Sequence, residues 1–405
     1  MVTKSIPVNH NILAWARKEA NLSRAHAASK ACINDLKARG EKESLSSTVR
    51  LERWEEGVET PTFSQLEKLA KAYRRPVLTF FLPEPPRKET RLEDFRTIGG
   101  KDIDSDAFGS EFSALLRHIE ALQLNLYDLL LATGSKPLPF VASVSPDATP
   151  VQVAQHIRSL LGYSFDNQKD AGDYNRVFSD IRTKAEQQGI FILLEGNLGS
   201  HHTNIDPEVF RGLAISDIIA PFIVINPNDA KPAMIFSLIH ELSHILRGET
   251  GISNLNSLDI SNINLPYKNE LFCDQVAAEF LVPGDYLLRE WEKINTNYSL
   301  EDSIELFSKQ FSVSRIVIAR RLLDFNQIDS DFYWKFYEVC QSEWRQIYKT
   351  KRTKEVIIPY RVRIRSRLGG KLIDTVIGAA REGRISELDA SRMLNVKINN
   401  FSKIF

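Results

Sequence analysis

Two histidines and a glutamate at helical spacing are the residues of this chain best suited to chemistry. They lie in the segment His240-Glu241-Leu242-Ser243-His244. Because residues four apart share one face of a helix, His240 and His244 could bind one metal ion together. Glu241 lies beside the first histidine, where it could accept a proton from a water molecule at that metal. Apolar residues on both sides predict that the helix is buried.

A later segment, residues 270–283, supplies a third ligand. An apolar run followed by a Pro-Gly stop is typical of a helix that ends there. A catalytic zinc ion needs three protein ligands and one open position, and we predict that Glu270 is the third. Asp274, four residues on, could accept a hydrogen bond from the second ring nitrogen of a ligand histidine. Cys273 is an alternative ligand, although we expect it to point away from the face that Glu270 and Asp274 share.

The two segments together resemble the zinc metallopeptidases of the ImmA/IrrE type. The start of the second segment is also similar to the Asn-Glu-x-x-x-Asp helix of the wider gluzincin group, in which the Glu is a metal ligand. The resemblance implies a zincin-like fold, Zn²⁺ as the cofactor and Glu241 as the catalytic base. It also implies three metal ligands, which are His240, His244 and Glu270.

Three short apolar runs upstream of the histidines are rich in β-branched residues and predict one small sheet. The run at residues 222–226 resembles the same peptidase pattern. In zincins an edge strand beside the active site pairs with an extended substrate, and the resemblance implies this role for Ile223, Val224, Ile225 and Asn226. An ordinary core strand is the alternative for each of these residues.

Residues 1–83 predict an N-terminal domain of five helices. Residues 51–70 resemble the helix-turn-helix of XRE-type regulators, which implies DNA binding with Arg50 and Arg53 near the recognition position. The stretch between the second and third helices, about residues 36–46, is longer than the usual turn of 3–4 residues. A helical protein-interaction or dimerisation module is therefore the alternative.

The C-terminal segment is basic and contains alternating arginines. Arg361, Arg363, Arg365 and Arg367 would form one ridge on a strand or extended arm. Such a ridge suits phosphate backbones, RNA or an acidic partner. A solvated surface is the alternative.

These patterns predict an α+β fold that is mainly helical. We expect a helix-turn-helix domain at residues 1–83, a linker at 84–100, a zincin-like domain with a small β-sheet at 101–330, and a basic helical segment at 331–405. His201-His202, Tyr267 and Tyr286 are candidates to stabilise an oxyanion. A solvent-exposed loop pair is the alternative for the two histidines.

Composition restricts the class of protein. The 52 Lys and Arg residues balance the 52 Asp and Glu residues, so no global charge favours nucleic acid or a membrane. The three cysteines are far apart in the sequence, which is typical of a reducing cytoplasm rather than of a disulfide framework. No apolar run is long enough to span a bilayer or to act as a signal peptide. We therefore expect a cytoplasmic protein that does not enter the membrane.

The favoured function is a site-specific zinc endopeptidase. The resemblance implies a narrow substrate, a repressor or antitoxin encoded nearby, which is cleaved in a stress, prophage or phage-defence response. The alternative is a DNA-binding regulator or antitoxin-like protein in which the peptidase fold senses or binds without cutting. An inactive scaffold within a toxin–antitoxin or phage-defence operon is a third hypothesis. A homodimer is compatible with each.

Overall fold

The chain is mainly helical and carries one four-stranded sheet, in agreement with the predicted α+β class. The structure is a computed structural model that describes residues 8–20, 22–37, 44–85, 109–198, 203–253, 265–294, 298–350 and 359–404. It contains two compact units, formed by residues 1–97 with 102–118 and by residues 98–101 with 119–405. In those described stretches, no helix combines the length and the apolar character needed to cross a bilayer.

Short capped helices build the first unit. Asn9, Ser23, Ser46 and Thr62 each accept a hydrogen bond from a backbone N–H of the helix that follows, which satisfies donors left unpaired in the first turn. The described elements are α1 (His10–Glu19), α2 (Arg24–Lys30), β1 (Leu36–Lys37), β2 (Ser44–Leu45), α3 (Ser47–Glu55), α4 (Phe63–Tyr73) and a 3₁₀ helix (Val77–Phe81).

In the described part of the long connection between α2 and α3, β1 pairs with β2 in antiparallel fashion. Arg50, which was predicted to contact nucleic acid, is mostly buried. Only 8% of Arg50 is exposed, because its guanidinium donates to the carbonyl oxygen of Asn34 and lies 5.3 Å from the ring centroid of Trp54. Arg53 is half-buried and pairs with Glu59 at 2.9 Å. Arg50 is therefore committed to the packing of its own unit.

The second unit contains the sheet and most of the helices. Its described elements, together with the helix that precedes them, are α5 (Gly109–Ala132), α6 (Pro150–Leu161), α7 (Phe165–Ala171), α8 (Tyr174–Gln188), β3 (Phe191–Leu194), β4 (Gly212–Ile215), β5 (Phe222–Ile225), α9 (Lys231–Arg247), β6 (Gly251–Ser253), α10 (Leu265–Leu281), α11 (Gly284–Ile294), α12 (Leu300–Phe311), α13 (Arg315–Asp324), α14 (Ser330–Thr350), α15 (Tyr360–Leu368), α16 (Gly370–Arg381), α17 (Glu387–Met393) and α18 (Ile398–Phe401).

The strand order of the sheet is β3-β5-β4-β6, with β3 and β5 parallel and the other neighbours antiparallel. β5 is thus an interior strand, and all of its residues are fully buried. The prediction of an edge strand at residues 223–226 is wrong, because β3 and β4 already take both hydrogen-bonding edges of β5. The side chain of Asn226 instead donates to the carbonyl oxygens of Ile205 and Phe210 and fixes the loop before β4.

One buried helix, α9, crosses the sheet and packs against α10, which also packs against α6. The apolar positions of α9 recur every three or four residues, and all of them lie in the core. The fully buried apolar residues of α9 are Met234, Ile235, Leu238, Ile239, Leu242, Ile245 and Leu246. Their burial fixes the direction in which the polar residues between them point.

The arginines at residues 361–367 lie on helix α15, and the prediction of a strand or extended arm is wrong. Ile364 and Leu368 are four residues apart and both buried, so helical burial decides the local structure. Residues two apart lie on different sides of a helix, and no single ridge forms. Arg361, Arg363 and Arg365 are all exposed, and Arg365 also forms a two-bond ion pair with Asp374.

The C-terminal segment is attached to α8 and β3 by buried polar contacts. Arg182 donates to the carbonyl oxygens of Ser366 at 2.6 Å and Ile192 at 2.5 Å. Glu186 accepts from the backbone N–H of Gly370 at 3.0 Å, at the start of α16. These contacts hold α15 and α16 against the edge of the sheet formed by β3.

Glu195, directly after β3, is buried beside Arg367, whose guanidinium lies 3.6 Å away. Burial raises the pKa of Glu195 from 4.5 to about 7, and the positive charge of Arg367 only partly offsets it. The folded protein therefore holds this proton more tightly than the unfolded chain does. The resulting loss of stability is absent below about pH 4.5 and complete above about pH 7.

We expect Glu195→Gln to remove this pH dependence, because glutamine has the same shape and no charge to bury. Between pH 5 and pH 8, the free energy of unfolding of the variant should rise relative to that of the wild type by up to about 3 kcal/mol. Urea unfolding at both pH values measures the difference, and any constant cost of the substitution cancels. Glu382→Gln, at an exposed carboxylate, is the control. An equal pH dependence of Glu195→Gln and wild type would contradict this assignment.

Candidate metal centre

The polar residues of α9 lie among its fully buried apolar residues. Pro232 lies in the first turn of the helix, and Gly248 ends it with a φ of +76°, a conformation that glycine adopts at little cost. Within the helix, His240 is 1% exposed, His244 is 2% exposed and Glu241 is fully buried. The two histidine rings, four residues apart, lie on the same face.

The structure brings His240, His244 and Glu270 together, as the sequence predicts. The two Nε2 atoms are 3.1 Å apart. Oε2 of Glu270 lies 3.2 Å from Nε2 of His240, and Oε1 lies 3.2 Å from Nε2 of His244. Glu270 reaches the pair from the second ligand helix, α10, and keeps 17% of its side chain exposed. The centre is therefore reached from solvent on the Glu270 side.

These donor atoms fit a tetrahedral zinc ion. Zn–N and Zn–O bonds of about 2.0–2.1 Å place neighbouring donors of a tetrahedral site about 3.3–3.4 Å apart. The two Nε2 atoms are 3.1 Å apart, and each lies 3.2 Å from a different oxygen of Glu270, so each separation comes within a few tenths of an ångström of that value. Two imidazoles and one carboxylate also form a ligand set known for catalytic zinc.

Each histidine directs its other ring nitrogen at a carboxylate. Nδ1 of His240 lies 2.8 Å from Oδ1 of Asp274, the position expected from the sequence. Nδ1 of His244 lies 3.2 Å from Oε2 of Glu249. Because a carboxylate accepts, each Nδ1 donates its hydrogen, and in the neutral form of each imidazole the lone pair is at Nε2. Carboxylate support of this kind fixes both the tautomer and the orientation of a metal-ligating imidazole.

Three acceptors therefore converge on one point inside the protein, which is unfavourable without a cation between them. The same contacts shift the pKa values of His240 and Glu270. Burial lowers the pKa of His240, but hydrogen bonds to Asp274 and Glu270 raise it well above its usual value. Burial raises the pKa of Glu270, but hydrogen bonds to the two histidines bring it well below its usual range. Either protons or a metal ion must balance this cluster.

Glu249 is a member of the site that the sequence analysis missed. It follows Gly248, and its backbone N–H donates to the carbonyl oxygen of His244 at 2.9 Å, so the chain turns back towards the last turn of α9. The signal in the sequence is a glycine that ends the helix four residues after the second histidine, followed at once by a carboxylate. Such a turn returns the next side chain to the helix end.

Cys273 lies close to the centre but outside the three-ligand set. Its Sγ is 3.7 Å from Nδ1 of His244, the nitrogen turned away from Glu270. This agrees with the expectation that Cys273 points away from the face that carries Glu270 and Asp274.

Glu241 packs against the sheet at Gly212, the first residue of β4. A Cβ atom at Gly212 would lie 2.2 Å from Oε1 of Glu241 and 2.9 Å from its Cδ. Only a residue without a side chain fits there, because any other would displace the carboxylate. No local sequence pattern predicts this contact of Gly212, since it depends on how α9 crosses the sheet.

The oxyanion candidates receive little support. The side chain of Tyr267 and both His201 and His202 lie outside the described residues. Tyr286 accepts a hydrogen bond from Nε2 of Gln310 at 3.1 Å, and its ring contacts those of Phe165 and Phe311. These contacts assign Tyr286 to the packing of α7, α11 and α12.

Comparison with known proteins covers the part of the chain that contains this centre. Residues 185–323, about a third of the chain, match the Peptidase_M78 family model, which is described as the IrrE N-terminal-like domain. The match includes all four strands of the sheet and both helices that carry the converging ligands. No curated protein and no solved structure matches the chain. Residues 185–323 are therefore similar to the IrrE N-terminal-like domain of this peptidase family.

Proposed function

We propose that this chain is a zinc-dependent endopeptidase. The observation that carries the proposal is the convergence of His240, His244 and Glu270 at 3.1–3.2 Å, within a region that matches a metallopeptidase family. Zn²⁺ held there would polarise the scissile carbonyl and activate a water molecule for attack. The protein itself supplies the ligands, their orientation through Asp274 and Glu249, and a base.

Glu241 is the proposed base. It follows His240 on α9, it is fully buried, and the close approach of Gly212 restricts where its carboxylate can lie. In that position it takes the proton of the attacking water and later gives it to the leaving amine. A fixed carboxylate serves this role better than a mobile one, because proton transfer requires hydrogen-bond distance to the reacting groups.

A peptide substrate needs a strand partner, and we propose β6 for this role in place of β5. Among the described strands, β3 and β6 form the two ends of the sheet. The outer side of β3 faces α15, and its Ile192 carbonyl oxygen is taken by Arg182. β6 (Gly251–Ser253) begins two residues after Glu249, the carboxylate partner of His244, so a peptide paired with it would pass near the metal centre.

We further propose a narrow substrate, a regulatory protein such as a repressor or antitoxin that acts in a stress, prophage or phage-defence response. The chain carries a separate N-terminal unit whose sequence resembles XRE-type regulators, in addition to the matched peptidase region. An added unit of this kind suits the choice of one target rather than general digestion.

Glu241→Gln tests the proposal. The variant should bind one equivalent of zinc like the wild type, because the three ligands remain. Cleavage of regulatory proteins encoded beside the gene, followed by mass spectrometry, should fall by about 10²–10⁴-fold, the usual contribution of a general base. Glu382→Gln is the control for a carboxylate removed far from the centre. Unchanged cleavage by Glu241→Gln would exclude Glu241 as the base.

Gly212→Ala probes the position of the same carboxylate. The added methyl group must push Glu241 aside, and we expect cleavage to fall by about 10²-fold while zinc stays bound. Gly378→Ala is a matched control, because a Cβ atom there meets no atom within 4 Å. It should retain full activity, and its unfolding temperature should stay the same or rise, since alanine favours a helix. A Gly212→Ala protein as active as wild type would contradict the close contact with Glu241.

The second candidate is a DNA-binding regulator in which the peptidase fold binds without cutting. The exposed Arg361 and Arg363 on α15 favour it, whereas Arg50 and Arg367 are committed to contacts within the protein. This function requires duplex binding with a steep salt dependence. It also requires that the biological effect survive in the Glu241→Gln variant, which the peptidase proposal excludes.

A further inference from the structure

The two ligand histidines are supported in different ways. The partner of His240, Asp274, lies on the second ligand helix and needs no intermediary. The partner of His244, Glu249, lies outside both ligand helices, in the turn after α9. Nδ1 of His244 also has a second neighbour, Sγ of Cys273 at 3.7 Å. The contacts that hold Glu249 therefore determine the orientation of the His244 ring.

Arg247 holds Glu249. Its Nε and Nη2 atoms donate to Oε1 of Glu249 at 3.0 and 2.9 Å, which leaves Oε2 for Nδ1 of His244. The two carboxylate oxygens thus have separate partners, one cationic fork and one imidazole. Such charge-assisted bonds are stronger and more directional than neutral ones.

Arg247 also reaches the second ligand helix. Its Nη2 atom donates to Oδ1 of Asn269 at 3.1 Å, and its guanidinium lies 4.5 Å from the ring centroid of Phe272. Asn269 precedes the ligand Glu270 directly. One guanidinium therefore connects the end of α9 to the residues on either side of the third ligand.

We propose that Arg247 and Glu249 form a clamp that sets the metal affinity of this centre. The clamp fixes the tautomer and orientation of His244 and holds α9 and α10 at the separation that the three ligands require. Both residues act through others, His244 and Glu270, and are positioning residues. The inference rests on the proposed metal function and extends it to residues outside the ligand set.

His244, Glu249 and Cys273 could also be considered a second metal site, because their donor atoms all lie within 4.8 Å of one another. Two reasons favour the clamp instead. The carboxylate of Glu249 already faces a cation, the guanidinium of Arg247, at hydrogen-bond distance. A second ion would also share the imidazole of His244 with the first. The clamp predicts one equivalent of bound zinc, and a second site predicts two.

Zinc affinity, measured by competition with a chromophoric chelator, tests the clamp in the full-length chain. Glu249→Gln keeps the shape of the side chain and removes its charge, and Arg247→Gln removes the fork. Each should weaken zinc binding by about 10–100-fold, the usual effect of losing a carboxylate that supports a ligand. Arg247→Lys keeps the charge without the fork and should fall between Arg247→Gln and wild type. Cys273→Ser should bind zinc like wild type.

Cobalt binding gives a second readout that general destabilisation would not move. The visible absorption of Co²⁺ depends on ligand geometry, and we expect the band positions to shift in Glu249→Gln but not in the control Glu382→Gln. Thermal unfolding of the metal-free variants identifies any that fail to fold, and Arg247→Lys and Glu249→Gln then carry the test separately.

These measurements distinguish failure of the metal function from failure of the clamp. A wild-type protein that binds no zinc overturns the metal function itself. A wild type that binds one equivalent, with Glu249→Gln and Arg247→Gln equal to it in affinity and spectrum, overturns the clamp alone. Two equivalents of zinc in wild type and one in Cys273→Ser would replace the clamp with a second metal site.

Discussion

Two imidazole nitrogens and the carboxylate of Glu270 lie 3.1–3.2 Å from one another inside this protein, and the rest of the centre depends on that arrangement. Two imidazole nitrogens and a carboxylate cannot remain so close in a buried place without a positive charge between them. The carboxylates of Asp274 and Glu249 strengthen the demand, since they take the Nδ1 hydrogens and leave both Nε2 atoms as acceptors. A divalent cation bound between these groups would supply the positive charge that they require.

The fold keeps these groups close together because the two ligand helices pack against each other and α9 packs against the sheet. The apolar faces of α9 are fully buried, so the helix cannot rotate to relieve the crowding without exposing its core residues. Helix α10 carries both Glu270 and Asp274 and packs against α9 and α6. Because Gly212 has no side chain, Glu241 can lie close to the sheet. Arg247, at the end of α9, donates a hydrogen bond to Asn269 on α10. Each of these contacts reduces the freedom of a group that the chemistry needs in one place.

The ligands were predictable from the sequence because their spacing is local. His240 and His244 are one helical turn apart, and so are Glu270 and Asp274, and helical geometry alone fixes each pair on one face. Glu249 and Gly212 were missed because one depends on a chain reversal and the other on the crossing of α9 over β4. The order of strands is likewise absent from local patterns, which is why β5 was mistaken for an edge. At residues 361–367 the alternating arginines suggested a strand, but burial of Ile364 and Leu368 made a helix.

X-ray absorption at the zinc edge of the metal-loaded protein tests the central claim most directly. Our account predicts one bound zinc whose first shell contains only nitrogen and oxygen at about 2.0–2.1 Å, with imidazole from two histidines. A sulfur neighbour at about 2.3 Å would mean that Cys273 is a ligand and that His244 presents Nδ1 rather than Nε2 to the metal. That result, or the absence of bound zinc, would contradict the arrangement in which His240, His244 and Glu270 converge on a single cation.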